Sequence, residues 1–153
     1  MKLKNWLYIF MLLPFLWSCN DEDDIDAIFI SGTWDVRNFF TGGDWDKTND
    51  GARPVYTKEE DFKVLNQMTV SFLPDGSVQG KTANGTFSAN WEADGKGRTV
   101  LISNIKTSTA PTGKSKQLIE ALTNARFYKG DSNYLKLAPE DRKTYVQLGH
   151  ELK

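Results

Sequence analysis

Along this chain the apolar positions fall into one continuous run near the start and a longer tract of short, alternating segments. The run covers Trp6 to Trp17 and follows the basic stretch Met1-Lys2-Leu3-Lys4. It has the length of a secretory h-region and falls short of the ~20 residues that a membrane-spanning helix needs. It stops at Cys19, and the acidic stretch Asn20-Asp21-Glu22-Asp23-Asp24 follows at once. This pattern predicts a signal peptide over residues 1–18, a solvated acidic tether over 19–27 and a single folded domain over 28–153.

Within the domain the dominant period is two, the period of a half-buried strand. Trp34, Val36 and Phe40 share one parity and Asp35 and Arg37 the other, which predicts a first strand entered from Ile28-Phe29-Ile30. Residues 41–63 lose the alternation and hold Gly42-Gly43, Asn49-Asp50-Gly51 and Pro54, so they predict a long loop with one helical turn near 58–62. Met68, Val70 and Phe72 alternate again, and Pro74-Asp75-Gly76 turns the chain into a return strand over 77–81. Asn84-Gly85 is a hairpin signal, and Phe87, Ala89 and Trp91 mark the strand after it. After Asp94-Gly95-Lys96-Gly97 comes Thr99–Ile105, so residues 67–106 predict a four-stranded antiparallel meander. Leu118, Ile119 and Leu122 form one stripe of a helix over 116–124, with Thr112 or Ser115 as its cap. Strands over 125–129, 134–137 and 144–152 complete the chain. The predicted fold is all-β: a small antiparallel β-barrel or strongly curved sheet of about eight strands, with one short packed helix.

Three motifs carry resemblances. Leu16-Trp17-Ser18-Cys19 resembles the lipobox of bacterial lipoproteins, with Trp17 in place of the usual small residue. That resemblance implies cleavage before Cys19, a diacylglycerol on its thiol and acylation of its new amine. Cys19 is the only cysteine, so no disulfide competes for its sulfur. One acyl chain anchors only marginally and several anchor stably. Cysteine followed by acidic residues looks like the surface-export signal of Bacteroidota lipoproteins, which implies a lipid-anchored position at the outer membrane, facing the cell surface or the periplasm. Gly32-Thr33-Trp34 resembles the Gly-x-Trp signature of lipocalin-like (calycin) barrels, in which the Trp closes one barrel end.

From Met68 to Leu148 the chain looks like a META-type domain of bacterial lipoproteins. Asp75-Gly76, Val78-x-Gly80, Gly85-x-Phe87, Thr107-Ser108-Thr109, Ala125-x-Phe127-Tyr128 and Tyr134-x-x-Leu137 carry that resemblance. Lys81-Thr82-Ala83-Asn84 stands where the family usually has Gly-Cys-Asn. The resemblance implies a small barrel-like fold with a packed helix in an envelope lipoprotein, and brings no catalytic residues with it.

Charge and chemistry narrow the function. The formal net charge is −1, and loss of Lys2 and Lys4 with residues 1–18 takes it to −3. No basic stripe appears, which disfavours nucleic acid as the main partner. His150 is the only histidine, so a triad or a zinc site lacks its other members. Glu59, Glu60 and Asp61 are contiguous and do not converge on one substrate atom. Asp46, Thr48, Asp50 and Gly51 fall at the first, third, fifth and sixth places of a calcium loop, although Thr57 replaces the bidentate Glu at the twelfth. A solvated polar loop is the competing reading of that stretch. Trp45 and Tyr56, with Trp34, are candidates for a pocket mouth that stacks on a sugar or a small apolar ligand. The expected function is a non-enzymatic binding or interaction module, without cofactor, held at the membrane through lipidated Cys19. Its partner is expected to be a glycan, a small apolar ligand or an envelope protein. The alternative is a structural or assembly accessory with no small ligand.

Overall fold

The computed structural model describes residues 23–151. In chain order the elements are α1 (Ile25–Phe29), β1 (Thr33–Thr41), β2 (Arg53–Pro54), α2 (Glu59–Leu65), β3 (Thr69–Phe72), β4 (Ser77–Thr82), β5 (Gly85–Asp94) and β6 (Thr99–Thr107), then α3 (Gly113–Asn124), β7 (Phe127–Gly130), β8 (Tyr134–Ala138) and β9 (Thr144–Gly149). The strands form one antiparallel sheet in the order β2-β1-β3-β4-β5-β6-β7-β8-β9, and β1 also pairs with β9. The sheet therefore closes on itself, as the all-β reading expects, and the strand beyond eight is the two-residue β2.

The meander folds where the turn chemistry places it. Gly76 takes φ +83°, and the Asp75 carboxylate accepts from the Ser77 amide at 2.9 Å. The inward row of β5 puts Phe87 directly across from Gly80 on β4. A Cβ on Gly80 would meet the Phe87 ring at 2.3 Å and the Thr69 carbonyl at 2.5 Å, so the ring occupies the space a side chain would need.

The two seams of the barrel differ. β1 and β9 pair from Asp35↔Gly149 to Thr41↔Thr144, whereas β6 and β7 meet only at Thr99↔Phe127. Where β6 diverges, α3 packs against β6, β8 and β9 and buries Leu118 and Leu122. A helix this short owes its stability to that packing.

The interior is filled by side chains. Trp34, Val36, Met68, Val70, Val78, Leu135 and Leu148 are all fully buried. At the end where β1 begins, Phe29 of α1 plugs the barrel, with the rings of Phe72, Trp91 and Tyr128 each 5.0 Å from its own. The Trp34 indole N–H donates to the Phe29 carbonyl at 3.1 Å, which ties the plug to the first strand.

Three expectations need correction. The tether was expected to run to residue 27, but Asp24 caps α1 by accepting from the Ala27 amide at 3.0 Å, and Ile28 and Phe29 are buried. Asp23 also accepts from the Tyr128 hydroxyl at 3.0 Å and pairs with Arg98 at 3.2 Å. Apolar burial and these polar contacts hold this stretch against the barrel despite its acidity, so the folded unit includes residues 23–27. Second, Phe40 does not share the inward face of Trp34 and Val36. A bulge shifts the register between Val36 and Asn38, and Phe39 turns into the core instead. Third, residues 41–63 are more ordered than a loop with one helical turn. They hold β2, the start of the two-turn α2, and the buried Trp45.

Candidate functional site

The bulge in β1 builds the site. Beyond it, strand alternation is reversed, so Phe40 leaves the core and stacks on Tyr145 of the paired strand, ring centroids 5.0 Å apart and planes at 15°. Trp45 packs edge-on against Tyr145 at 6.0 Å, and with Ala138 these residues form a second apolar cluster. Asn38 at the bulge is buried, and each polar atom of its side chain has a partner. Its Nδ2 donates to the Tyr56 carbonyl at 2.7 Å, while its Oδ1 accepts from the amides of Phe39 at 2.8 Å and Tyr56 at 3.2 Å. This hub fastens the segment after β2 to β1, and the Val55 amide donates to the Phe39 carbonyl at 2.8 Å.

A cleft of about 400 Å³ lies where the end of β1, the β8–β9 turn and the C-terminal half of α3 meet. Its volume is in the range of small-ligand sites. Phe40, Val55, Ala121, Pro139 and Tyr145 supply apolar lining, and Gln117, Glu120, Asn124 and Thr144 supply polar groups. Val55 stands 45% exposed at its edge. An apolar recess with a few hydrogen-bonding groups at its margin suits a small apolar or aromatic ligand, or an apolar side chain of another protein.

Over residues 20–150 the chain matches the family described as a domain of unknown function, DUF4847. The chain belongs to the DUF4847 family. A crystal structure of a DUF4847 family protein from Bacteroides vulgatus is similar at a TM-score of 0.76 and 38% identity, over 84% of this chain and 99% of that one. An NMR structure of a protein from Burkholderia xenovorans shares the fold at a TM-score of 0.54 and 11% identity, over 82% and 85% of the two chains. No curated protein matches the chain.

In this DUF4847 domain the two aromatic residues expected at a pocket mouth stand behind the cleft instead. Trp45 supports Tyr145 from the second cluster, and the Tyr56 hydroxyl donates to Gln117 of α3. Lys114 lies 4.5 Å over the Tyr56 ring and pairs with Asp61 at 2.8 Å, which locks α3 to α2. Trp34, the third candidate, is core. The alternation gives no sign that Phe40 faces outward, because the bulge that turns it has no glycine to announce it.

The expected calcium loop does not gather a cation site. Asp50 accepts from Lys136 at 3.0 Å and from the Tyr145 hydroxyl at 2.9 Å on one oxygen, and from the Ala52 amide at 2.8 Å on the other. Asp46 turns toward Arg142 at 3.5 Å. These residues border a polar recess of about 360 Å³ that also holds Lys47, Arg98 and Lys129. Calcium takes six to eight oxygens, whereas here ammonium, guanidinium and hydroxyl groups occupy the carboxylates. Among the described residues no cluster of three or more His, Cys, Asp or Glu side chains forms. Burial alone would raise the Asp50 carboxyl. The Ala52 amide, Lys136 and Tyr145 outweigh it and hold the group below the usual carboxylate range. Burial, then the hydrogen bond to Asp50 and its charge, push the Tyr145 hydroxyl up, so it stays a donor at physiological pH.

His150 is a clamp. Its ring stacks on Trp34 with centroids 3.9 Å apart, Nδ1 lies 2.9 Å from the Thr33 carbonyl, and Nε2 lies 2.8 Å from Ser31 Oγ. Ser31 Oγ also donates to the Ile28 carbonyl at 2.9 Å. Ser31 has one proton to give. It can go to the Ile28 carbonyl or to His150 Nε2, not to both. The sequence places these partners 119 residues apart, so no local pattern signals the pair. Cys19 lies outside the described residues.

Proposed function

We propose that this DUF4847 chain is a lipid-anchored outer-membrane lipoprotein that acts as a non-enzymatic recognition module through its outer surface. The observation that carries the reading is the filled interior beside an open apolar cleft. A lipocalin-like barrel that holds a small molecule keeps a central cavity; here Trp34, Met68, Phe72 and Leu135 take that volume. Recognition then falls to the cleft between β1, the β8–β9 turn and α3, with a small apolar ligand or an apolar side chain of an envelope protein as its occupant. Trp34 at one barrel end, capped by His150, supports the lipocalin-like resemblance. The helix α3 packed on an open seam supports the META-like one. The lipobox cysteine and its acidic flank support the membrane position. No helix among the described residues is long and apolar enough to cross a membrane.

The test has two arms. Labelled palmitate is expected to join the wild-type chain and not Cys19→Ser, which should leave the membrane fraction; a wild-type chain that takes no label removes the anchor from the proposal. In the second arm the full chain in detergent is heated with small aromatic and aliphatic compounds. A ligand at 100 times its Kd adds about 2.7 kcal/mol of stability, a Tm rise of several degrees. The rise is expected in wild type and lost in Ala121→Trp, which fills the cleft. Equal rises in both chains, or none in wild type, would place recognition elsewhere.

A further inference from the structure

A second bulge builds a second surface. On β5 and β6, Asn90 pairs with Ser103 and Ser88 pairs with Lys106, so β6 takes three steps where β5 takes two. The extra residue lies in the stretch that holds Asn104, which sits at φ +53°, a left-handed conformation that Asn tolerates better than most residues. Without the extra residue, alternation from Val100 and Ile102 would carry Lys106 to the inner face and Ile105 to the outer. With it, Ile105 packs against the core and Lys106 is exposed beside Ser88.

The outer face of β3 to β6 carries a hollow of about 740 Å³ that lies open to solvent. Its lining combines Lys81 and Lys106 with Gln79 and the hydroxyls of Ser71, Thr86 and Ser88, and no carboxylate is among the lining residues. Among the described residues neither lysine joins an ion pair. The neighbouring carboxylate, Asp35 across from Thr69, is 3.8 Å from Arg37. The register puts Lys81 opposite Thr86 and Lys106 opposite Ser88. From strand spacing and rise, the two lysines are about 12 Å apart across the face.

We propose that this face binds an acidic polysaccharide. Two unpaired ammonium groups would meet two carboxylates of such a chain, more than one sugar apart, and the hydroxyls and Gln79 between them would hydrogen-bond its sugar hydroxyls. Nucleic acid fits less well. The face offers no exposed aromatic ring for base stacking, whereas its hydroxyls and Gln79 match the hydroxyls of a sugar chain. The inference is independent of the apolar cleft, which lies at the far end of β1.

Binding of polygalacturonate to the full chain in detergent, measured by calorimetry at low salt, tests it. The wild-type chain is expected to bind, to bind neutral dextran at least tenfold more weakly, and to lose affinity as salt rises. The double variant Lys81→Gln/Lys106→Gln should lose at least tenfold. Lys63→Gln/Lys116→Gln, which removes the same charge elsewhere, should bind as wild type. Ser88→Glu, which sets a carboxylate between the lysines, should abolish binding without lowering Tm. No binding by wild type overturns the proposal, as does equal loss in the two double variants. Polyphosphate binding as tight as polygalacturonate would also overturn it, by showing a general polyanion surface.

Discussion

Each of the two bulges makes a surface, and the surfaces have opposite character. In β1 the extra residue throws Phe40 outward onto Tyr145 and produces an apolar cleft. In β6 it throws Lys106 outward beside Ser88 and produces a polar hollow. The settings differ in the same sense. The β1 bulge is buried and held by Asn38, whose side chain satisfies three backbone groups. The β6 bulge is exposed and rests on one strained Asn104. One inserted residue can therefore redirect a strand toward either chemistry, and its surroundings decide how much stability depends on it.

The sharpest way to break the comparison is Asn38→Leu. It leaves the buried Phe39 amide and both part-buried backbone groups of Tyr56 without their partners, at roughly 1–3 kcal/mol for a group left unsatisfied. We expect a loss of about 3 kcal/mol or more in urea unfolding. A loss below about 1 kcal/mol would mean that the β1 bulge holds without its hub.

Asp50→Asn tests the support behind the cleft, because Asp50 holds Tyr145 and Lys136. The Asp50 carboxyl lies below its unfolded value of 3.8, so its contribution is present above that pH and is lost as pH falls through the folded value. The variant should be less stable than wild type by about 1–2 kcal/mol near neutral pH. The difference should close as pH drops below about 4. Melting curves from pH 7 to pH 3 check both the sign and the window.

The smallest effect belongs to the β6 bulge. Asn104→Gly relieves a positive φ at an exposed position, so it should leave stability within about 1 kcal/mol of wild type. Hydrogen exchange at Ser103 to Lys106 should also stay as it is. A large loss would show that the Asn104 side chain, rather than the backbone register, maintains the hollow.

Much of the fold was legible because its signals are local. Asp75-Gly76 and Asn84-Gly85 fix two turns of the meander, and Leu118 with Leu122 fix the buried stripe of α3. The inward set of β1 was misread at Phe40, since a bulge without glycine leaves no mark in the alternation. The acidity of Asp23 and Asp24 concealed that Ile28 and Phe29 fold with the barrel. Of the candidate site, Trp45 and Tyr56 led to the right neighbourhood but not to its lining. Asp46, Thr48 and Asp50 suggested a cation because their spacing is local, while Lys136, which claims Asp50, is 86 residues away. The clamp of Ser31 and His150 joins the two extremes of the domain, where a one-dimensional pattern carries no information.

The plug formed by α1 also bears on how the molecule would stand. Four peptide steps separate Cys19 from Asp23, which is already fastened to Tyr128 and Arg98. A chain that short reaches at most about 14 Å. With fatty chains on Cys19, the barrel would be held within that reach of the bilayer on its Asp23 side, beside the polar recess that Asp46, Lys47 and Asp50 border.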